Sequence, residues 1–421
     1  MTPVTSLYYA FRRNLKATRL YLALSGPGLV VMIADNDAGG ITTYAVTGAK
    51  YQYHLIWFLI LLIPVAYYVQ EMTVRLGAVT KRGHAEAIFD AFGAFWGWFS
   101  LLDLMLVDWL TLVTEFVGMT AAFAIFGVPA WATVVGVCVL MAVIVINGRY
   151  WTWEKIAMLF CVLNLIYIPG AFMVHARLSD IVRSGLIPNL PGFDGQLFFF
   201  LMANIGTTIA PWMLFFQQSS VVDKGMKERD IPWGKADTFI GSIFTIVVAV
   251  FIVIVTGTVL PNVDIDDAAK AASVLMDRDR WLGAFMAIGL FDAGLLGAIC
   301  ISLASSWAFG EIFGWAHSLN NKIREAPAFY VSYFISLVSA GLVVLIPGAP
   351  LVLITLFVQV VAVTLLPAAL VFLILLLNDR KTMGEYANTT TQNVVCGTIV
   401  GIIIVLSTLY GISALFPEMF G

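Results

Sequence analysis

The chain has 421 residues, of which 60% are hydrophobic and only 12% charged, with a net charge of -3. Its mean hydropathy is +0.92. A soluble fold of this length needs a charged surface that this composition does not supply, so a polytopic membrane protein is expected. The apolar runs are helical or apolar all round, without ten-residue alternation, which argues against a β-barrel.

A hydrocarbon core of about 30 Å asks for roughly 20 apolar residues per crossing helix. Eleven such spans are predicted, over residues 22–50, 54–74, 95–126, 130–147, 155–174, 197–221, 237–260, 282–312, 328–346, 351–377 and 394–415. The stretch Met1 to Arg19 is polar and basic and leads into the first span without a small-residue cleavage site, so a removed signal peptide is not expected. If the N-terminus is cytoplasmic, seventeen of the 23 Lys and Arg residues lie inside and six outside. That asymmetry predicts eleven helices in the cytoplasmic membrane, with the N-terminus inside and the C-terminus outside. No soluble domain is indicated, and residues 1–421 read as one membrane domain. The longest connections are 176–196, 222–236 and 261–281, the last opening with the acidic run Pro261 to Asp267 and helix-prone thereafter.

Two spans have polar, helix-breaking centres. In the first, Ile33-Ala34 runs into Asp35-Asn36-Asp37-Ala38-Gly39-Gly40; in the sixth, Gly206-Thr207-Thr208-Ile209-Ala210 runs into Pro211-Trp212. The five-helix offset points to an inverted-repeat transporter with a site near the midplane. Residues 22–174 would form the first repeat, residues 197–377 the second, and residues 394–415 an appended eleventh helix. In hydrocarbon a broken helix leaves carbonyl oxygens that must be satisfied internally, and a cation between the half-helices can do so. Gly39 and Gly40 are read as allowing unusual φ values, and Pro211 as removing an amide donor. The alternative is a kink without a ligand; a carboxylate at that depth favours a site.

These residues give the chain a resemblance to the Nramp family of divalent-metal transporters. The first span, with Gly26-Pro27-Gly28 and then Asp35 to Gly40, is similar to the family's Gly-Pro-Gly and Asp-Pro-Gly-Asn pattern, placing Asp37 on the metal-binding Asp. Further matches are Gln70 to Thr80 after the second span, Thr114-Glu115-Phe116-Val117-Gly118 in the third, and Gln359-Val360-Val361 before Leu366-Pro367 in the tenth. The resemblance implies a LeuT-type fold, all-α, with a 5+5 inverted repeat, broken helices 1 and 6, and an eleventh helix.

The departures from the family pattern bear on the ion. Ala38 replaces the family's Pro and Gly40 its metal-binding Asn; in the sixth span Ala210 replaces the thioether and Trp212 the His. Thioethers favour softer transition metals, whereas carboxylate, amide and water suit hard cations. Magnesium keeps several waters while one or two carboxylates bind it, so a wider, oxygen-lined cavity predicts magnesium, with manganese second, bound largely hydrated. The pattern resembles the divergent Nramp-related magnesium transporters. Proton-coupled members carry an acidic residue, a His and basic residues where this chain has Leu112, Trp212 and a ninth span without Lys or Arg; uncoupled transport is therefore expected. The metal itself is cargo, and no cofactor is expected.

The candidate metal-site residues are Asp37, Glu115, Ala210, Gly40, Asn36, Asp35, Thr207, Gln217 and Gln359. Asp37 ranks first, Glu115 is the second carboxylate and Asp35 an outer attractor. Gln217 and Gln218 either touch water in the inner path or join helices. Asp103 and Asp108 are left unassigned, and Asp292 has no evident partner. Cys138, Cys161, Cys300 and Cys396 read as small buried hydrophobes, and the four His residues offer no metal cluster. Two rivals have less support. An intramembrane aspartyl protease needs carboxylates on facing helices, and an organic-solute symporter would hold its substrate's carboxylate at a half-helix N-terminus, where Asp37 would repel it. A proton-coupled transition-metal transporter of the Nramp type remains the nearer alternative. The partners expected are a divalent ion and the bilayer, no nucleic acid, and a monomeric chain.

Overall fold

The computed structural model describes residues 26–146, 149–192, 195–265 and 267–415. The basic segment up to Arg19 and the first residues of span one, 22–25, lie outside them. Span one is two helices, α1 (Pro27–Ala34) and α2 (Ala38–Tyr51). Pro27 sits in the first turn of α1, where its missing N–H leaves no bond unmade. The second and third spans are α3 (Ile56–Thr80) and α5 (Ala94–Ala124), joined by the short α4 (His84–Phe92). The fourth is α6 (Ala130–Ile146). The fifth consists of α7 (Tyr150–Leu163), a 3-10 turn (Asn164–Ile166) and α8 (Tyr167–Met173).

After α9 (Leu178–Leu186), span six is again two helices, α10 (Gly195–Gly206) and α11 (Pro211–Asp223). Then follow α12 (Ile231–Val259), α13 (Ala268–Arg278), α14 (Arg280–Phe313), α15 (Pro327–Val344), α16 (Leu351–Asn378), α17 (Arg380–Met383) and α18 (Thr390–Leu415). Eight of the described helical spans are long and apolar enough to cross a membrane. The broken first span, the acidic 31-residue α5 and the shorter apolar α6 bring the count to the expected eleven.

Two details correct the sequence reading. The connections 75–94 and 176–196 are not plain loops, because they hold α4 and α9, while the helix-prone part of 261–281 forms α13. The fifth span is not one continuous α-helix, because its 3-10 turn interrupts it next to Pro169, whose ring removes an amide donor.

Burial orders the spans. In Gly195–Asp223, 94% of the most apolar window is buried, against 78% in Arg280–Phe313 and 22% in Thr390–Tyr410. The broken sixth span and α14 are therefore the centre of the bundle, and α18 its rim. Around the outside, Phe95, Leu102, Trp131, Val139, Phe172 and Leu353 are exposed. Such an apolar exterior suits lipid, where helices satisfy their own backbone and need no polar coat.

Candidate cation site

The first break follows from the diversion of two amide donors. In a continuous helix the N–H of Ala38 would bond the carbonyl of Ala34, and that of Gly40 the carbonyl of Asn36. Here Ala38 N donates to Glu115 Oε2 at 3.0 Å, and Gly40 N donates to Asp37 Oδ1 at 2.6 Å. Asp37 is thus the N-cap of α2, and Glu115, from α5, meets the same helix start. Both carboxylates lie at the positive end of the α2 dipole. The carbonyls of Ala34 and Asn36 thereby lose the helical donors that Ala38 and Gly40 would have supplied. The second oxygen of Glu115 and both oxygens of Asp35 have no hydrogen-bond partner among the described residues.

The two glycines act differently from expectation. Neither Gly39 nor Gly40 has a positive φ; both lie inside the first turn of α2. Their value is close approach. A Cβ on Gly40 would collide with Thr207 Oγ1, and one on Gly39 with Gln359 Nε2. The missing side chains let the two breaks and α16 meet.

The second break has a matching logic without charge. Pro211 has no N–H for the carbonyl of Thr207, and that carbonyl accepts instead from Tyr44 Oη at 3.4 Å. Ala210 N donates to the thioether of Met213 at 3.2 Å, leaving the Gly206 carbonyl without its helical donor. Thr207 Oγ1 and Gln359 Nε2 are buried and have no partner among the described residues. Gly206 packs directly against the Gln359 backbone carbonyl, so this one residue borders both breaks.

Asp37, Glu115, Gly40, Thr207 and Gln359 are therefore brought together. Asp35 is adjacent through its backbone carbonyl, which lies 3.0 Å from the position of a Gly40 Cβ. Asn36 turns toward α12, donating to the Thr245 carbonyl at 3.2 Å. Ala210 ends the second break with a buried methyl group. Gln217 stands apart and joins helices: its Oε1 accepts from Thr73 at 3.2 Å and its Nε2 donates to Thr238 at 2.8 Å. Gln218 likewise bonds His84 Nδ1 and the Arg82 carbonyl. Asp108 accepts from Ser305 at 2.6 Å, joining α5 to α14. Trp212 is fully buried among aromatic rings, with Phe216 at 6.0 Å between centroids.

Sequence reasoning gave no role to Tyr44, Thr245 or Asp237. Asp237 Oδ2 accepts from the amides of Gly26, Gly28 and Leu29 at 2.9, 2.8 and 3.1 Å, tying the start of α1 to α12. Asp237 is more than 200 residues from that helix start in sequence, so no local pattern announced the pairing. Among the described residues no group of three or more His, Cys, Asp and Glu side chains is arranged to hold a metal. Of the four free cysteines, Cys161, Cys300 and Cys396 are buried and Cys138 is partly so. Asp35, Asp37, Glu115, Thr207 and Gln359 are each at most 2% exposed, so the site is closed to both sides in this conformation.

The family model described as "Natural resistance-associated macrophage protein-like" matches residues 28–413. The divalent metal cation transporter MntH of Yersinia pestis is 25% identical over 422 residues, covering 96% of this chain and 98% of its own. The protein of that name from Caldanaerobacter subterraneus is 23% identical over 407 residues, covering 92% of each chain. Among solved structures, the Eremococcus coleocola manganese transporter superimposes with a TM-score of 0.79 at 20% identity, covering 96% of this chain and 88% of that one. MhsT in complex with L-phenylalanine gives 0.59 at 13% identity over 92% of this chain and 98% of its own. At these identities the structural likenesses speak for the fold alone, an all-helical inverted repeat of the LeuT type with broken helices one and six.

Proposed function

This chain belongs to the Nramp family, membrane transporters and not enzymes, and from that premise we propose that it moves divalent cations, magnesium first and manganese second, across the cytoplasmic membrane without moving protons. The observation that carries this reading is the pair Asp37 and Glu115, fixed on one helix start beside donor-free carbonyls. A hard cation that keeps most of its water suits two carboxylates surrounded by oxygen acceptors. On the side of the second break the ion meets Thr207 and the methyl group of Ala210, which coordinate nothing strongly. Met213 supplies a sulfur nearby, but it already accepts the Ala210 amide.

Alternating access in this reading is a rearrangement of α1 and α11 around a fixed site. With the N-terminus inside, those are the inner half-helices. Inner closure is held by the Asp237 bonds to α1 and by the buried Lys224–Glu154 pair at 2.8 Å. Opening must break such contacts, and the membrane potential drives the ion through. A divalent cation gains about 4.6 kcal/mol per 100 mV, from roughly 2.3 per charge. Leu112 and Trp212 are fully buried and apolar where proton-coupled relatives carry titratable groups, so they offer no proton relay. The reading includes repeats over 22–174 and 197–377 and a monomeric chain.

Uptake of magnesium, manganese, cadmium and iron into proteoliposomes, with the purified full chain, tests the substrate. Magnesium uptake that manganese inhibits is the expected result. Strong cadmium or iron uptake with no magnesium uptake would replace this reading with a transition-metal transporter.

A further inference from the structure

We propose that Asp292, Asn164 and Tyr167 form a second cation site, separate from the transport site, that binds a monovalent alkali cation such as sodium. The three residues converge from two spans. Asp292 lies in α14 and is 4% exposed; Asn164 opens the 3-10 turn of the fifth span and is fully buried; Tyr167 begins α8 and is 4% exposed. Asn164 lies beside the Asp292 carboxylate, close enough for its amide to interact with it. Tyr167 packs its ring and hydroxyl against α14 at Gly289, one turn from Asp292. A Cβ on Gly289 would stand 2.6 Å from the Tyr167 oxygen, so the glycine makes room for that approach.

Unmet polar atoms make this cluster unusual. Apart from the approach of the Asn164 amide to Asp292, the oxygens of Asp292, the polar atoms of Asn164 and the Tyr167 hydroxyl are buried with no hydrogen-bond partner among the described residues. An unpaired carboxylate in the membrane interior is costly unless a counter-charge offsets it. No Lys, Arg or His forms an ion pair with Asp292 among the described residues. A cation bound here satisfies the carboxylate, the amide oxygen and the phenol oxygen together.

Charge selects the kind of ion. The cluster has one carboxylate, so a monovalent ion leaves it neutral, whereas a divalent ion would leave a buried positive charge. All-oxygen donors suit a hard cation. The fifth span supplies a reason for the site's place: its helix is interrupted at Asn164–Ile166, and a 3-10 turn inside a helix often marks a functional hinge. A sodium ion there would bridge that interruption to α14.

The test is thermal unfolding of the purified full chain in sodium chloride against choline chloride at equal ionic strength, so that screening is matched. The wild type should gain about 2 °C or more at saturating sodium. Asp292→Asn should abolish the gain, Asn164→Ala and Tyr167→Phe should each raise the sodium midpoint several-fold, and Asp37→Asn should keep the full response. No sodium response in the wild type, or one that survives Asp292→Asn, overturns the proposal. So does a response lost in Asp37→Asn. If Asp292→Asn does not fold, an unmoved sodium midpoint in both Asn164→Ala and Tyr167→Phe overturns it instead.

Discussion

The two interrupted spans solve one backbone problem with different chemistry. At the first break, side-chain carboxylates take the amides that would have closed the helix, Asp37 from Gly40 and Glu115 from Ala38. Charge and donor-free carbonyls are created together. At the second, Pro211 has no amide to give and a thioether takes that of Ala210. The Gly206 carbonyl is freed there too, but without any charge, while that of Thr207 accepts from Tyr44. In the proposed function, the first break attracts and holds the cation, while the second closes over it and selects by what it lacks.

The largest test of that asymmetry is Asp37→Asn, which keeps a good N-cap acceptor while removing the charge. Metal uptake should fall by roughly 100-fold, matching about 3 kcal/mol for a lost charge-assisted contact, with little loss of thermal stability. Uptake within twofold of the wild type would remove Asp37 from the site. Next in size is Glu115→Gln, whose amide oxygen can still accept from Ala38 N. A drop of about tenfold in apparent affinity, near 1.4 kcal/mol, is expected from titrating uptake against metal concentration. The smallest change of rate and the sharpest change of preference belong to Ala210→Met. A thioether on the second break should increase cadmium uptake relative to magnesium several-fold; an unchanged ratio would show that Ala210 does not border the ion.

The comparison also explains what the sequence made legible. Both breaks stood out because Asp, Gly and Pro interrupt apolar runs, and the membrane makes such interruptions costly. Asp37 and Glu115 were found on family-like motifs, and the structure joins them through Ala38 N. The work of Gly39 and Gly40 was misread because composition reveals only that a side chain is missing. Whether the gap serves an unusual φ or a close neighbour depends on Thr207 and Gln359, which are distant in sequence. For the same reason Gln217 remained open until Thr73 and Thr238 were seen on either side of it. The meeting of Asp292 with Asn164 is likewise set by helix packing, with no local pattern to announce it. Short α4 and α9 were hidden in connections because the apolar-length criterion that finds crossing helices passes over them, whereas the helix-prone end of the 261–281 connection announced α13.

The proposed function, with charge at one break only, has the metal cross without a proton. The most direct measurement is internal pH in proteoliposomes during magnesium uptake driven by an imposed negative-inside potential. Magnesium should enter while internal pH stays constant, and faster as the potential grows. Internal acidification that requires magnesium and disappears in Asp37→Asn would contradict the account, because it would mean that a proton travels with the metal.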